Sequence, residues 1–404
     1  MSEIRIVIAG GGLAGLTLAH YLNRHGLDVA VYERDADIAA REAGYRIHIN
    51  STGTSALHAA LEPRLWQLFL ATCGMPSEDM LLFDEQLNLR PGRDRSATEG
   101  TGVPTDIPEH LVVCRSTLRR ILCLGLEKAV HFGARVTGYR VRPDSTITVL
   151  LEDGATAEAD VLIAADGINS AVRAQRLPQV QVADLGSRHI AAKIHLTDEA
   201  KAKLPAQLFN AFSLAHDADF TGLTLGPLER TDPTSPLVAE QDPGFQREAT
   251  ADYALSIFNS LPDRMLPDDE LFTVGPDKLK AHALQRVADW HPALVDTVRL
   301  WDTATVQALK CRSCVPVDAW EPSNVTVMGD AVHAMSPALG IGANTALRDA
   351  HTLGDQLLAV AADDKELLDG IAGYEQAMRD YAYHALRMSA FVGQKVIGHL
   401  PLPE

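Results

Sequence analysis

Length, composition and charge restrict the class of protein before any motif is considered. The chain has 404 residues, of which 46% are hydrophobic and 22% charged, close to the averages of globular proteins. This length predicts two or three domains and excludes a fibrous or extensively disordered chain. The 36 Lys and Arg residues against 53 Asp and Glu residues leave a net charge of -17. Such a charge repels nucleic acid and anionic membranes, so neither is an expected partner.

The sequence also predicts where the protein works. No stretch approaches the roughly 20 apolar residues that span a bilayer, and Glu3 and Arg5 stand where a signal peptide would be apolar. The 5 cysteines, an odd number, indicate free thiols rather than disulfides. We therefore predict a cytoplasmic protein without a membrane span. Cys311 and Cys314 lack a second pair and lie in a predicted strand, so no metal site is predicted from their spacing.

The first predicted elements form a βαβ unit. An apolar, β-branched run over residues 4–9 predicts a strand, which Gly10-Gly11-Gly12 ends. Apolar residues then recur at helical spacing from Leu13 to Asn23, and a second strand covers residues 29–32. The two strands are expected to be parallel, so the sequence predicts the α/β class with a Rossmann-like domain.

The remaining pattern predicts a second domain of different character. Residues 177–310 contain alternating segments between Pro- and Asp-rich connections, which predicts a mostly antiparallel β-sheet domain inserted into the first. Further strands are predicted at 146–151, 159–165 and 324–329, and helices at 54–71, 115–126 and 343–398. The predicted domains are a discontinuous nucleotide-binding domain (1–72, 107–176 and 311–362), a β domain (73–106 and 177–310) and a C-terminal helical segment (363–404).

Three glycines in the pattern Gly10-x-Gly12-x-x-Gly15 stand between the first strand and its helix. Gly10 permits the tight turn, Gly12 lets the backbone approach a pyrophosphate, and Gly15 lets the helix pack close to the sheet. The helix N-terminus adds free N–H groups and a partial positive charge. Glu33 ends the second strand, where an acidic side chain can meet a ribose hydroxyl. A dinucleotide site is predicted, and the motif alone does not separate NAD from FAD.

Two later segments carry a family resemblance. Asp166-Gly167 follows a buried predicted strand, and Gly329-Asp330 follows another and precedes a Pro- and Gly-rich stretch that ends at Asn344. These segments look like the DG and GD motifs of flavin-dependent aromatic hydroxylases. Together with the first glycine motif, in the same order and over about half the chain, they resemble the single-component FAD-dependent aromatic hydroxylases, class A flavoprotein monooxygenases of the para-hydroxybenzoate hydroxylase fold.

The resemblance implies a cofactor, FAD, and a site for it. In such enzymes the equivalent of Asp330 accepts a hydrogen bond from a ribityl hydroxyl, and the equivalent of Arg115 pairs with the pyrophosphate or ribityl region. The N–H groups of residues 340–344 are expected at the pyrimidine edge of the flavin. The candidate FAD-binding residues are Gly10, Gly12, Leu13, Ala14, Gly15, Glu33, Arg34, Arg41, Arg115, Asp166, Gly329, Asp330, Pro337, Gly340, Gly342, Ala343 and Asn344.

For four basic residues near these motifs, the sequence predicts a structural role or leaves the role undecided. Arg119 and Arg120 are predicted to be solvated on their helix, and His333 is predicted to be structural. Arg173 could reach the phosphates of the reductant or form a surface salt bridge, and the sequence does not decide between the two.

The reaction, too, is what the resemblance implies. NADPH or NADH reduces FAD, and O2 forms a flavin C4a-hydroperoxide that hydroxylates or epoxidises an aromatic or polycyclic small molecule. The substrate is expected between the two domains, with Tyr45, Arg46 and His48 as candidate polar contacts. No residue identifies itself as the catalytic base. A monomer or a homodimer is expected.

Alternatives remain at this stage. The same fold hosts oxidases, reductases and halogenases, although the 4 tryptophans are isolated, which argues against the Trp-x-Trp-x-Ile-Pro segment of a halogenase. A non-catalytic FAD-dependent binder of small molecules is a second class. An NAD-linked dehydrogenase does not explain the DG and GD segments.

Overall fold

The computed structural model describes residues 4–40, 44–76, 80–91, 107–208, 212–232 and 234–403. Its strands are β1 (Ile6–Ala9), β2 (Val29–Tyr32), β3 (Arg46–Ile49), β4 (Met80–Phe83), β5 (Leu89–Arg90), β6 (Leu111–Cys114), β7 (Val130–His131), β8 (Val136–Val141), β9 (Ile147–Leu151), β10 (Thr156–Ala159), β11 (Val161–Ala164), β12 (Val182–His195), β13 (Phe212–His216), β14 (Gly222–Leu228), β15 (Tyr253–Ser260), β16 (Asp302–Cys314) and β17 (Val325–Val327).

The α-helices account for most of the remaining regular structure. They are α1 (Leu13–Arg24), α2 (Ser51–Ala60), α3 (Pro63–Ala71), α4 (Arg115–Cys123), α5 (Ala171–Arg176), α6 (Asp198–Lys203), α7 (Pro236–Ala239), α8 (Pro243–Thr250), α9 (Asp268–Leu271), α10 (Pro276–Arg286), α11 (Pro292–Arg299), α12 (Asp330–His333), α13 (Gly342–Ala361) and α14 (Leu367–Val396). Within the described residues, none of them combines the length and the hydropathy needed to cross a membrane.

A parallel sheet in the order β17-β11-β1-β2-β7 forms the centre of the first domain. Strands β1, β11 and β17 are buried throughout and apolar apart from one threonine, as expected where helices cover both faces of a parallel sheet. An antiparallel sheet, β10-β9-β8, lies beside it. The predicted α/β class and parallel strands are confirmed.

The second domain contains a seven-stranded sheet, which we call the second sheet, in the order β16-β12-β15-β14-β13-β4-β5. It is antiparallel except where β13 pairs with β4. Successive side chains of its strands point to opposite faces. One face, with Ile190 and Phe258, packs with α10 and α11 in a core of its own. The other face turns Ala191 and Ile257 toward the first domain. The predicted boundary at residues 310 and 311 falls inside β16.

The two C-terminal helices belong to the core of the first domain. Helix α13 packs against α1, α2 and α14. Tyr374 on α14 donates its hydroxyl hydrogen to the carbonyl of Val327 at 3.0 Å, and Thr326 donates to Glu375 at 2.8 Å. These bonds fasten α14 to the edge strand β17, so the helix that follows the GD segment also supports it.

Candidate active site

The glycine turn after β1 has the geometry that its sequence predicts. Gly10 has φ +108°, and a Cβ there would lie 2.4 Å from the carbonyl oxygen of Ala165. A Cβ added to Gly12 would meet no atom within 4 Å, since this residue faces a cavity. Gly15 lies buried behind the turn, against the carbonyl oxygen of Gly10. The turn is therefore closed toward the sheet and open toward the cavity.

Glu33 holds this turn together with a buried arginine. Its Oε2 accepts the N–H of Gly11 at 2.8 Å, and its Oε1 accepts the N–H of Asp35 at 2.8 Å. Arg119 forms ion pairs with Glu33 at 3.3 Å and Asp35 at 3.0 Å, and its Nε donates to the carbonyl of Gly11.

The prediction that Arg119 is solvated is wrong, because it is 4% exposed. Two carboxylates compensate its charge, and they come from an element distant in sequence. Arg120 is half-buried instead. It pairs with the exposed Asp242 at 2.6 Å and lies over the ring of Phe245.

The DG and GD segments meet at the same cavity. Asp166 accepts the N–H of Ala171 on Oδ2, whereas its buried Oδ1 has no hydrogen-bond partner among the described residues. Burial raises the pKa of Asp166. Asp330 begins α12 and is exposed toward the cavity, after Gly329 with φ +59°.

Arg173 joins these two segments. Its Nη1 donates to the carbonyl of Ile168 at 2.9 Å and to that of Ala331 at 3.0 Å. The side chain is buried, with 7% of the residue exposed. Within the described part of the chain it forms no salt bridge, so the predicted surface salt bridge is wrong. The other option, a contact with the phosphates of the reductant, stays a prediction, although Arg173 does not line the cavity. The arginine thus cross-links two carbonyls, one in each segment, through a single guanidinium nitrogen.

Asp349 organises the GD segment from behind, and sequence reasoning gave it no role. Its carboxylate accepts the N–H of Gly329 at 2.7 Å and the hydroxyl of Tyr381 at 2.6 Å, and lies 2.5 Å from Nε2 of His333. Burial lowers the pKa of His333, but the charge and hydrogen bond of Asp349 outweigh it, so the pKa is raised. His333 is structural, as predicted. The sequence signal that could have revealed the role of Asp349 was its position on the apolar face of α13, because a buried carboxylate requires buried hydrogen-bond partners.

The segment before α13 places backbone donors at the cavity. A short 3-10 turn begins at Pro337, Gly340 takes a left-handed conformation with φ +66°, and α13 starts at Gly342. A 20-residue helix directs its positive N-terminus there. The side chain of Asn344 does not line the cavity. It donates to the carbonyl of His48 and accepts the N–H of Asn50, both at 2.9 Å.

One cavity of about 920 Å³ connects these segments with the second sheet, a size typical of ligand sites. Among the predicted residues it is lined by Gly10, Gly12, Leu13, Ala14, Glu33, Arg34, Arg115, Asp166, Gly329, Asp330, Pro337, Gly340, Gly342, Ala343, Tyr45, Arg46 and His48. Arg41 lies outside the described residues. At the sheet end the wall is apolar, with Leu255, Ile257 and Leu309.

The three predicted substrate contacts line the cavity, each with protein partners, and Tyr45 and Arg46 bond to strands of the second sheet. Tyr45 donates to the carbonyl of Thr305 at 2.8 Å, and burial raises its pKa to about 12. Arg46 donates to the carbonyl of Pro227. His48 stacks on His110, which also lines the cavity, with Nε2 of His48 3.2 Å from Nδ1 of His110. His110 was missed because its surroundings read as a loop.

The fold and cavity define a class first: a two-domain, dinucleotide-binding oxidoreductase whose ligand cavity lies between the domains. Residues 3–254 and 280–389 match the FAD binding domain family. The crystal structure of a protein of Photorhabdus luminescens, assigned as an FAD-containing monooxygenase, has a TM-score of 0.83 at 29% identity and 98% coverage of both chains. The chain therefore belongs to the FAD binding domain family of flavoprotein monooxygenases, and the resemblance is confirmed.

Two curated relatives show how far the similarity extends. The 3-amino-4-hydroxybenzoate 2-monooxygenase PtmB3 of Streptomyces platensis is 30% identical over 363 residues, which cover 89% of this chain and 81% of that protein. The dual O-methyltransferase/FAD-dependent monooxygenase elcB of Phaeosphaeria nodorum is 30% identical over 97% of this chain, but only 46% of its own length is covered. The chain thus spans about half of that fungal relative.

The residues present fit FAD. The open side of Gly12 leaves room for a pyrophosphate beside the N-terminus of α1. The unpartnered Oδ1 of Asp166 lies in a residue that lines the same cavity, so it can accept a hydrogen bond from a ligand. Gly340 and Gly342 line the cavity where the N-terminus of α13 can stabilise negative charge.

Replacing Gly12 by Ala tests the position of the pyrophosphate. The methyl group meets no protein atom, so the stability of the FAD-free protein should stay unchanged while the Kd for FAD rises at least about tenfold, or about 1.4 kcal/mol. Gly10→Ala should lower both stability and affinity, because its Cβ meets the backbone. Gly275→Ala, also with open space but outside the cavity, is the control. FAD titration and thermal unfolding measure both effects, and unchanged FAD affinity in Gly12→Ala would contradict the placement.

Replacing His333 by Gln tests the buried ion pair with Asp349. Because the folded-state pKa of His333 is raised above its ordinary value of 6.5, the pair stabilises fully below about pH 6.5 and loses its contribution as pH rises through the raised pKa. The difference in unfolding free energy between wild type and variant should therefore shrink toward alkaline pH in urea titrations. His351→Gln, half-exposed on α13, the helix that carries Asp349, is the control. A difference independent of pH would argue against the charged pair.

Proposed function

We propose that this chain is an NAD(P)H-dependent FAD monooxygenase that hydroxylates or epoxidises a small aromatic or polycyclic molecule. The observation that carries the proposal is the cavity of about 920 Å³, which joins the three cofactor segments to an apolar sheet face. Bound FAD supplies the redox chemistry, accepting hydride from NADPH or NADH and activating O2. The protein supplies binding, orientation and the exclusion of water.

At the cofactor end the chain acts through its backbone and a few charges. The turn at Gly12 and the N-terminus of α1 receive the pyrophosphate, and Glu33 faces the ribose. Arg115 lines the cavity at the start of α4, where its guanidinium can meet a phosphate. With FAD bound, Asp330 would accept a hydrogen bond from a ribityl hydroxyl. The N–H groups at the start of α13 stabilise negative charge at the pyrimidine edge.

At the substrate end the walls favour a flat apolar ring. Leu255, Ile257 and Leu309 exclude water from the reacting position. The name of the Streptomyces relative, a 3-amino-4-hydroxybenzoate monooxygenase, supports an aromatic substrate with a hydroxyl group. His48 and His110 provide a pair of neighbouring imidazoles on the wall of the same cavity. We assign to them the role of general base: one imidazole accepts the proton of the substrate hydroxyl and passes it to the other.

The cellular setting is part of the proposal. All 5 cysteines are free thiols, and 4 of them are buried, which supports a reducing compartment such as the cytoplasm. The protein would work there as a monomer or a homodimer.

Absorption spectroscopy with oxygen measurement tests the function. We expect flavin bands that NADPH or NADH bleaches without oxygen, faster when a suitable phenol is present. When oxygen is admitted, the amounts of NAD(P)H and O2 consumed should each equal the amount of hydroxylated product formed. Stoichiometric hydrogen peroxide with an oxidised substrate would indicate an oxidase, and reduced substrate without oxygen uptake a reductase. Flavin that NAD(P)H never bleaches would indicate a halogenase or a non-catalytic binder.

His48→Gln and His110→Gln test the proton transfer. Each should lower the rate of product formation by about 100-fold and change its pH profile, because general-base catalysis contributes at least that much. FAD content and flavin reduction without substrate should stay at wild-type levels. His58→Gln, on the exposed side of α2, is the control. Wild-type rates in both variants would remove the imidazole pair from the mechanism.

A further inference from the structure

A buried group of two histidines and a cysteine lies beside the cofactor cavity without lining it; we refer to it as the tail cluster. It consists of His189 on β12, Cys311 on β16 and His399 in the segment after α14. These residues are 5%, 6% and 5% exposed. One ligand atom from each lies within 4.8 Å of the others.

The fold fixes the position of His399. After α14 ends at Val396, Gly398 turns the chain with φ +74°, and the N–H of Leu400 donates to the carbonyl of Leu185 at 2.8 Å. His399 packs so closely on α14 that a Cβ added to Gly393 would lie 2.3 Å from its Nδ1. The ring is therefore held between the helix and the second sheet.

Hydrogen bonding leaves one nitrogen of the cluster unused. Nδ1 of His399 lies 3.2 Å from Oγ of Ser336, but Nε2 is buried without a partner within the described part of the chain. Nε2 of His189 lies 3.2 Å from Sγ of Cys311 and 3.1 Å from Oγ of Ser187. Buried polar atoms are rarely left unpaired, so the free nitrogen points to a ligand that the protein atoms do not supply.

These donors suit a zinc ion. Imidazole nitrogen and thiolate sulfur are its usual ligands, at about 2.0–2.1 Å and 2.3 Å, which in a tetrahedron places the ligand atoms roughly 3.3–3.6 Å apart. Nε2 of His189 and Sγ of Cys311, 3.2 Å apart, are already close to that spacing, and His399, whose ligand atom lies within 4.8 Å of both, would move toward them on binding. Ser336 holds the second nitrogen of His399, as outer-shell groups do for metal-binding histidines.

The surroundings also tolerate a cation. The nearby guanidinium of Arg188 is paired with Asp184 at 2.9 Å and with Asp268 at 2.6 Å. Lys310 contacts the same two carboxylates, so positive and negative charges balance. Burial lowers the pKa of His189 to about 3 and that of His399 to about 4, and both rings are neutral at pH 7.

We propose that His189, Cys311 and His399 bind a zinc ion that ties the C-terminal tail to the second sheet. On binding, the Cys311 thiol releases its proton to solvent and sulfur forms the metal bond. The hydroxyl of Ser187 or a water molecule completes the tetrahedron. Ser336, which lines the cofactor cavity, links the site to the GD segment.

Metal analysis of the full-length, FAD-loaded protein tests the site. After chelator treatment and addition of Zn2+ alone, wild type should retain about one zinc ion per chain after desalting, with one sulfur and two nitrogen ligands by X-ray absorption. Cys311→Ser and His399→Asn should retain none. Cys314→Ser, on the same strand but outside the cluster, should behave as wild type.

Stability gives a second readout that does not depend on the reaction. Zn2+ should raise the unfolding temperature of wild type and Cys314→Ser but not of His399→Asn, since a ligand that binds only the folded state stabilises it. His399→Asn changes a residue that lies outside both sheets, which keeps the test valid if Cys311→Ser does not fold. Folded, FAD-loaded wild type without zinc, or equal zinc in all variants, would overturn the proposal. Flavin content, measured separately, reports on the proposed function.

Discussion

The register of three adjacent parallel strands determines where everything else in the site can lie. Ala9 at the end of β1 pairs with Ala164 at the end of β11, and Ala164 pairs with Val327 at the end of β17. Segments far apart in sequence therefore leave the sheet at one edge, as ligand-binding segments of open α/β sheets do. The glycine turn, the DG segment and the GD segment reach one cavity because the strands before them end together. The cavity is thus a consequence of strand pairing.

Buried charges then fix the three segments in place. Arg119 is compensated by Glu33 and Asp35, Arg173 joins the DG and GD segments through carbonyl oxygens, and Asp349 gathers donors behind the GD segment. A buried charge is tolerated only when its partners are in place, and removing one partner leaves the other uncompensated. These interactions hold a polar scaffold behind the cavity wall, so the wall itself can present backbone groups and glycines to a ligand.

The sequence predicts the α/β fold, the parallel pairing of its first two strands and most of the cavity wall, because glycine patterns and apolar strands are local signals. It does not predict the partners of charged residues, which come from elements distant in the chain. Arg119 looks solvated on its own helix, and His110 looks like part of a loop until β3 and β6 pair and bring it to His48. Likewise, Cys311 and His399 are separated by three helices, α12, α13 and α14, so the spacing of the cysteines does not reveal that they meet.

The last of these helices, α14, links the two large sheets. Helix α14 has 30 residues and is therefore about 45 Å long. Near its start Tyr374 is bonded to the parallel sheet, and beyond its end the chain is bonded to the antiparallel sheet at Leu185. Inserting a single residue between these anchor points would rotate everything beyond it by about 100° and advance it by about 1.5 Å. The length of α14 therefore fixes both the distance and the relative rotation between its anchor on the parallel sheet and its anchor on the antiparallel sheet.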